Sequence, residues 1–380
     1  MKVVIAPDAF KECLPADQAA AAMADGVLRA AADAQVDLCP MADGGEGTVA
    51  AMVAATGGVT RTADVWGPLG APIRARFGLL GTDRDAGLPG ELGVSGAAGR
   101  REDDAGAAAR EAVVEMATAS GLALVPPQRR DPLRTTTYGT GQLITAALDA
   151  GCEEILVGVG GSATVDGGCG AAQALGVRFR DADGRASPCG LAGGGLAHVA
   201  AIDLSARDER LADVRIRVAC DVTNPLIGPH GAARVYAPQK GATPETVERL
   251  ADGLEHLAEL IRRTTGRDVA NLPGAGAAGG LAAGLAAFAG ATLQSGADLV
   301  AEAVALRKRL AGCDLCLTGE GRLDAQTHFG KAALTVARLA RDAGATVVCI
   351  PGRADADAPD AFDAVRPLVA GEVTERLALR

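Results

Sequence analysis

The chain has 380 residues, 48% hydrophobic and 2% aromatic, with 37 Lys and Arg against 47 Asp and Glu. The net charge of −10 excludes a nucleic-acid backbone or an anionic membrane surface as the expected partner, because both demand clustered basic residues. Two domains are expected, since one core usually covers roughly 250–300 residues, and no apolar run approaches the roughly 20 residues of a membrane span.

MKVVIAPDAF opens with a short apolar run closed by Pro7 and Asp8. The run is too short for a signal sequence and predicts a strand at residues 2–6 of a chain that stays in the cytoplasm. A loop at 7–15, a helix at 16–32, a strand at 36–39, a loop around Asp43 and a helix at 48–55 complete a βαβα opening. Residues 66–80 alternate apolar and polar and contain Gly67, Pro68, Gly70 and Pro72, which reads as strands around a turn. Residues 81–110, rich in Gly, Ala, Asp and Arg, read as a flexible insertion without chemistry. Helix-and-turn patterns of a different rhythm continue to about residue 290. The last third resumes with a strand at 315–318, a helix at 331–343, a strand at 346–350 and an apolar run at 365–369. Residues 1–62 and 291–380 are therefore expected to form one doubly wound α/β domain. Residues 63–290 are expected to form a second α/β domain inserted into it, with the active site in the cleft between.

The nine cysteines are an odd number without framework spacing and read as reduced thiols. Cys313 and Cys316 form a CxxC inside a strand pattern, which supplies only half of a tetrahedral zinc site.

Three glycine-rich stretches follow apolar runs and carry carboxylates: MADGGEGT at 41–48, GVGGSATVDGG at 158–168 and LTGEGRLD at 317–324. A strand that ends in such a loop and then enters a helix aims bare N–H groups at one spot. That suits phosphate, while adjacent Asp and Glu suit Mg²⁺, so the combination points to phosphoryl transfer. Asp43 and Glu46 flank the glycines of the first loop. In the second, Gly160, Gly161 and Ser162 allow close backbone approach, and Asp166 reads as a metal ligand or base. In the third, Glu320, Arg322 and Asp324 precede Lys331, but Ala332 follows that lysine, so the loop is not a Walker A motif.

Asp8, Lys11 and Glu12 follow the first strand, where doubly wound folds bind ligands, although the two acids also fit as helix caps. Asp221 and Asn224 are hard oxygen ligands suited to Mg²⁺, and Lys240 can neutralise a transferring phosphoryl group; both segments also carry ordinary turn signals. Gly274, Gly276 and Gly279 spell GxGxxG, with Asp298 at the distance of a ribose-binding acid. The residues before Gly274 are not a convincing strand. A phosphate-contacting helix N-terminus is one reading of the motif, and a dinucleotide-dependent oxidoreductase using residues 274–279 is the alternative function. Thr135, Thr136, Thr137, Tyr138 and Thr140 precede a helix expected from Gln142 and read most simply as its caps, although their hydroxyls could hold a small hydroxy acid.

Taken in order, APDAFKE, PMADGGEGT, EMATASGLALV, TTTYGTGQLI, VGVGGSATVDGG, CDVTNPLIG, PQKGAT, PGAGAAGGL and LTGEGRLDAQT with its later GK resemble the glycerate kinase family of glycerate and glyoxylate metabolism over nearly the whole chain. The resemblance implies ATP-dependent phosphorylation of D-glycerate with Mg²⁺, favours 2-phosphoglycerate as product, and implies a flavodoxin-like domain beside one that resembles restriction enzymes. Carried onto this chain, its matched polar positions include Asp8, Lys11, Asp43, Glu46, Asp166, Asp221 and Lys240. Because these lie at expected strand ends in separate loops able to converge, Asp8, Lys11, Asp166 and Lys240 are expected to be catalytic, with Asp166 the base and the two lysines on phosphate oxygens, and Asp43, Asp221 and Glu46 are expected to hold the metal; which carboxylate takes which role stays open. Gly160, Gly161, Ser162, Thr164, Asn224, Gly276, Glu320, Arg322, Asp324 and Lys331 become contacts for substrate or phosphate. Val165 stands where such loops have Asn. The position phosphorylated and the oligomeric state stay open.

Overall fold

The structure, a computed structural model, describes residues 1–10, 13–45, 47–81, 111–323, 332–355 and 360–369. Lys11, Glu12, Glu46, Asp324, Lys331 and all of the expected 81–110 insertion except Gly81 lie outside the described residues.

Strands β1 (Lys2–Ile5), β2 (Gln35–Leu38), β3 (Val59–Trp66), β4 (Pro72–Leu79) and β5 (Glu111–Glu115) come first. The middle of the chain adds β6 (Glu154–Gly158), β7 (Arg178–Arg180), β8 (Ala201–Asp203), β9 (Arg215–Ala219) and β10 (Thr292–Gln294). The last third adds β11 (Leu315–Thr318), β12 (Arg322–Leu323), β13 (Thr346–Cys349), β14 (Arg353–Ala354) and β15 (Ala364–Val365).

Five strands form an all-parallel sheet in the order β15-β13-β11-β1-β2. Counted within the sheet this is 2-1-3-4-5, the flavodoxin-like order, and its switch point lies between β1 and β11. Helices on both faces explain the unbroken apolar run of β1. Ala20 and Ala24 of the helix Ala16–Ala30 pack with Val3 and Ile5, whereas Val336 and Ala340 of the helix Ala332–Asp342 pack in the cluster that holds Val4.

The second sheet has six strands in the order β10-β9-β6-β5-β4-β3. Its β10, β9, β6 and β5 are parallel, and β4 runs antiparallel to both β5 and β3. The β3–β4 hairpin closes through Gly67 N donating to Ala71 O at 2.7 Å, as the alternating pattern of 66–80 predicts. The sequence-based boundary at 62/63 falls inside β3, and the one at 290/291 precedes β10, yet both strands belong to this sheet. The chain crosses between the sheets after the helix Thr48–Thr56 and again before the helix Gly296–Ala303.

Those two helices lie between the sheets. One hydrophobic cluster joins their Val49, Met52, Leu299 and Val300 to Val4 and Cys316 of the first sheet and to Val113, Leu156 and Ala219 of the second. At the strand ends the two halves touch backbone to backbone. A Cβ on Gly158 would lie 2.4 Å from Gly44 O, and one on Gly160 would lie 2.8 Å from Gly45 Cα. The glycines of MADGGEGT and GVGG therefore serve first to let two loops meet.

A third cluster forms around the helix Pro244–Thr265, whose Val247, Leu250, Leu254, Leu257 and Ile261 make a stripe of helical period. Thr243 caps it by accepting from Thr246 N, Pro244 opens it, and Gly266 at φ 72 ends it. Leu254 and Leu257 press on Gly167, closing the loop that carries Asp166 from one side. Gly279 closes it from another: a Cβ there would lie 2.0 Å from Thr164 O, at a left-handed φ of 66. Gly279→Ala is expected to cost about 3 kcal/mol in urea unfolding, from left-handed strain plus overpacking. A loss under about 0.5 kcal/mol would show that the two loops can separate freely. Among the described residues no helix is long and apolar enough to cross a membrane.

Candidate active site

Asp43 follows β2, and Asp221 follows β9, in different sheets. Asp43 Oδ1 accepts from Gly45 N at 3.0 Å, an Asx turn that fixes the loop. Asp221 sits at the N-terminus of the helix Gly296–Ala303, where its Oδ1 accepts from Gly296 N at 2.8 Å and Ser295 Oγ at 3.1 Å. The two acids converge at Gly296. A Cβ on that residue would lie 2.2 Å from Asp43 O and 3.1 Å from Asp221 Oδ2. Asp221 Oδ2 is buried without a hydrogen-bond partner. Burial, with the neighbouring Asp43 charge second, pushes the Asp221 carboxyl up to about 7 against those donors. An orphaned, desolvated carboxylate oxygen beside a second acid fits a hard cation, which would supply the missing partner and neutralise the repulsion. Among the described residues there is no cluster of three or more His, Cys, Asp or Glu side chains arranged for a metal. Two carboxylates still suit Mg²⁺, which completes its octahedron with waters and substrate phosphates.

The second centre lies in the loop after β6. Lys240, in the turn Pro238–Lys240, is 2% exposed, and its Nζ donates to Ser162 Oγ at 2.5 Å and Thr164 O at 2.7 Å. Burial pushes its ammonium down to about 7, with Asp166 pulling the other way. Asp166, expected to be the base, is placed inside its loop. Asp166 is fully enclosed, and its oxygens accept from Thr137 N (2.7 Å), Thr137 Oγ1 (2.8 Å), Gly168 N (3.0 Å) and Gly170 N (3.2 Å). Burial raises its pKa despite these four donors. With four donors from the protein on its oxygens and helices packed beside its loop, the carboxylate organises that loop. Thr137 holds the N-cap position expected of it, but its hydroxyl serves Asp166 and Ala171 N.

Other expected contacts are placed as follows. Asn224 accepts from Tyr236 Oη at 2.6 Å and donates to His230 O at 2.9 Å, so its side chain is engaged within its own loop. Gly276 backs onto this loop, with Pro225 O only 2.3 Å from a Cβ placed there, which makes it a packing glycine. Among the described residues no strand leads directly into Gly274, so the GxGxxG lacks the context of a dinucleotide site. Val165 is fully buried in the third cluster and faces the core. Asp8 and Glu320, both buried, flank the switch point, where Asp8 N donates to Gly319 O at 2.8 Å. Arg322 is paired with Asp355 beside the short β12–β14 ribbon. Gly160 and Gly161 lead directly into Ser162 at the mouth of β6.

One residue that the sequence reading did not single out ties the halves together. Glu115, at the end of β5, accepts from Val49 N at 2.6 Å, in the first turn of the helix that follows the Asp43 loop. An acid at a helix N-terminus is favourable, and here it crosses from one sheet to the other.

Strand ends of two α/β sheets that meet over paired carboxylates define an enzyme built to handle charged groups. Residues 3–379 match the model of the glycerate kinase family, and the chain belongs to that family. It is 47% identical to the glycerate kinase of Halalkalibacterium halodurans over 92% of this chain and 85% of that one. It is 46% identical to the glycerate 2-kinase of Escherichia coli strain K12, over 93% and 85%. Among solved structures, a protein of Salmonella typhimurium LT2 described as a glycerate kinase 2 superposes with a TM-score of 0.84 at 47% identity, covering 100% of this chain and 93% of that one. The chain is thus a kinase, and nothing supports the oxidoreductase alternative.

Proposed function

We propose that this chain transfers the γ-phosphoryl group of ATP to a hydroxyl of D-glycerate, with 2-phosphoglycerate as product. The observation that carries the reading is the pairing of Asp43 with Asp221, whose buried Oδ2 lacks a partner, at the meeting of two sheets' strand ends. Asp43 and Asp221 would hold Mg²⁺, which when bound neutralises charge on the phosphates. Lys240 holds the Ser162 hydroxyl in one orientation at the mouth of β6, and the Gly160–Gly161 backbone offers close approach to an anion. A loose phosphoryl transition state asks for positioning and charge neutralisation more than for a strong base, which accords with an Asp166 sealed in the loop. The sheets, each with its helices, serve as the two domains around this cleft. ATP dependence suits a cytoplasmic enzyme with a small-molecule acceptor and neither nucleic-acid nor membrane partners.

The test combines ligand protection with product analysis. ATP with Mg²⁺ is expected to raise the unfolding temperature, and D-glycerate is expected to trigger ADP release, with the 2-phosphate seen by ³¹P NMR. Absence of ADP release with D-glycerate would overturn the reading; a 3-phosphate would overturn only the position.

A further inference from the structure

Arg130 differs from most of the arginines that the fold partly encloses. Arg217 meets Glu111, Glu154 and Glu302, Arg309 meets Asp37, Arg210 meets Asp208 and Asp149, and Arg234 meets Glu248. Arg130 is half-buried, and its Nε is buried without a hydrogen-bond partner. Among the described residues no carboxylate lies within 4.0 Å of its guanidinium. In a chain with 47 acids this is not a shortage of counter-charges. A desolvated donor left unpaired is costly, more so when charged, and a bound anion would supply the missing partner.

The backbone of Arg130 lies beside the Ser162 and Lys240 centre. It follows the turn Pro127–Arg129 and precedes Asp131 and Pro132, and the Asp131 carboxylate is turned to Leu133 N at 3.0 Å. Two prolines and an Asx turn thus fix the backbone. Its carbonyl lies 2.4 Å from where a Cβ on Gly241 would be, and Gly241 follows Lys240, whose Nζ holds Ser162. The contacts form a row: Asp221 with Asp43, Gly45 with Gly160, Ser162 with Lys240, Gly241 with Arg130. The carboxylate pair at one end suits a cation and its phosphates. At the other end packs the backbone of Arg130, whose guanidinium is a planar cationic fork of the kind that matches a carboxylate in bidentate geometry.

We propose that Arg130 binds the carboxylate of the acceptor and so selects a hydroxy acid over a neutral polyol. The inference rests on the phosphorylation of D-glycerate by the unmutated enzyme. Its chemistry is that of an anion held by a guanidinium, and the two sources of that anion are the acceptor's carboxylate and the phosphates of ATP. The test measures separate KM values for D-glycerate and for ATP with Mg²⁺ in full-length Arg130→Gln and Arg130→Lys. Arg130→Gln is expected to raise the KM for D-glycerate by about 30-fold or more while that for ATP moves less than about twofold, and Arg130→Lys to fall between it and the wild type. If Arg130→Gln does not fold, Arg130→Lys, which keeps the charge and the apolar stem, decides alone by the same KM split. An unchanged KM for D-glycerate overturns the proposal, and so does a parallel rise for ATP, which would assign the anion to the nucleotide. Failure of the wild-type enzyme to phosphorylate D-glycerate is read before any variant is made and would count against the function, not against Arg130 alone.

Discussion

Asp221→Asn is expected to lower kcat by about 10²–10³-fold, the loss that follows from removing roughly 3–4 kcal/mol of charge stabilisation at a transferring phosphoryl group. The same change should not harm the metal-free fold. It replaces an oxygen that is buried without a partner and repelled by Asp43 with a neutral amide of the same shape. The pH dependence gives the sign. The Asp221 carboxyl is raised to about 7 in the folded state from 3.8, so between those values the folded chain holds the extra proton. Stability of the metal-free wild type, measured relative to the variant, therefore falls as pH rises from about 4 to about 7 and is level above it. Urea unfolding in EDTA across that range reads the slope, and a coupled ADP assay reads kcat. Near-wild-type turnover would remove Asp221 from the site, and a metal-free variant destabilised by more than about 1 kcal/mol at pH 8 would mean that its ionised form is structural.

Lys240→Met is expected to lower kcat by about 10²-fold, because the Ser162 hydroxyl loses the donor that fixes its orientation. Methionine approximates the length of the stem, so the third cluster should keep its packing. Here the linkage runs the other way. The folded ammonium is lowered to about 7 from 10.5, so between these values the unfolded chain holds more protons. Wild-type stability should rise with pH from about 7 to about 10, and the variant should lack that rise. Parallel unfolding curves for the two proteins across this range would show that Lys240 keeps its ordinary affinity for the proton. Retention of full activity by Lys240→Met would show that Ser162 needs no such anchor.

The doubly wound sheet was readable because β1, β11 and β13 are short apolar runs followed by turn residues and helices, a local signal that survives in a single sequence. The Asp43–Asp221 pair was readable for a similar reason, since each acid lies in the loop that follows a strand. The role of Asp166 was not readable. Flanking glycines look alike whether they cradle a phosphate or admit a neighbouring helix, and here Gly167 and Gly168 meet Leu257 and the helix Leu281–Phe288. Which of the two applies is set by residues about a hundred positions away. The same holds for Gly276 and Gly279, whose motif was legible and whose partners, Pro225 and Thr164, were not. Arg130 left no local mark, because QRRDP reads as an exposed charged turn. Only the absence of an acid around its buried Nε distinguishes it. The helix Pro244–Thr265, with its cap, proline and apolar stripe, carried a clear signal that could have announced the third cluster.

The place of β1 has a consequence for how the chain is made. It lies between β2 and β11, and Val3 pairs with Leu315, so one edge of β1 waits for a neighbour made more than three hundred residues later. The six-stranded sheet is fully encoded by residue 294 and can assemble earlier. Long-range parallel pairing of this kind is slow and leaves an apolar strand edge bare meanwhile. The half of the molecule whose synthesis begins first is thus the half that finishes folding last, and its VVI edge is where aggregation during expression should start.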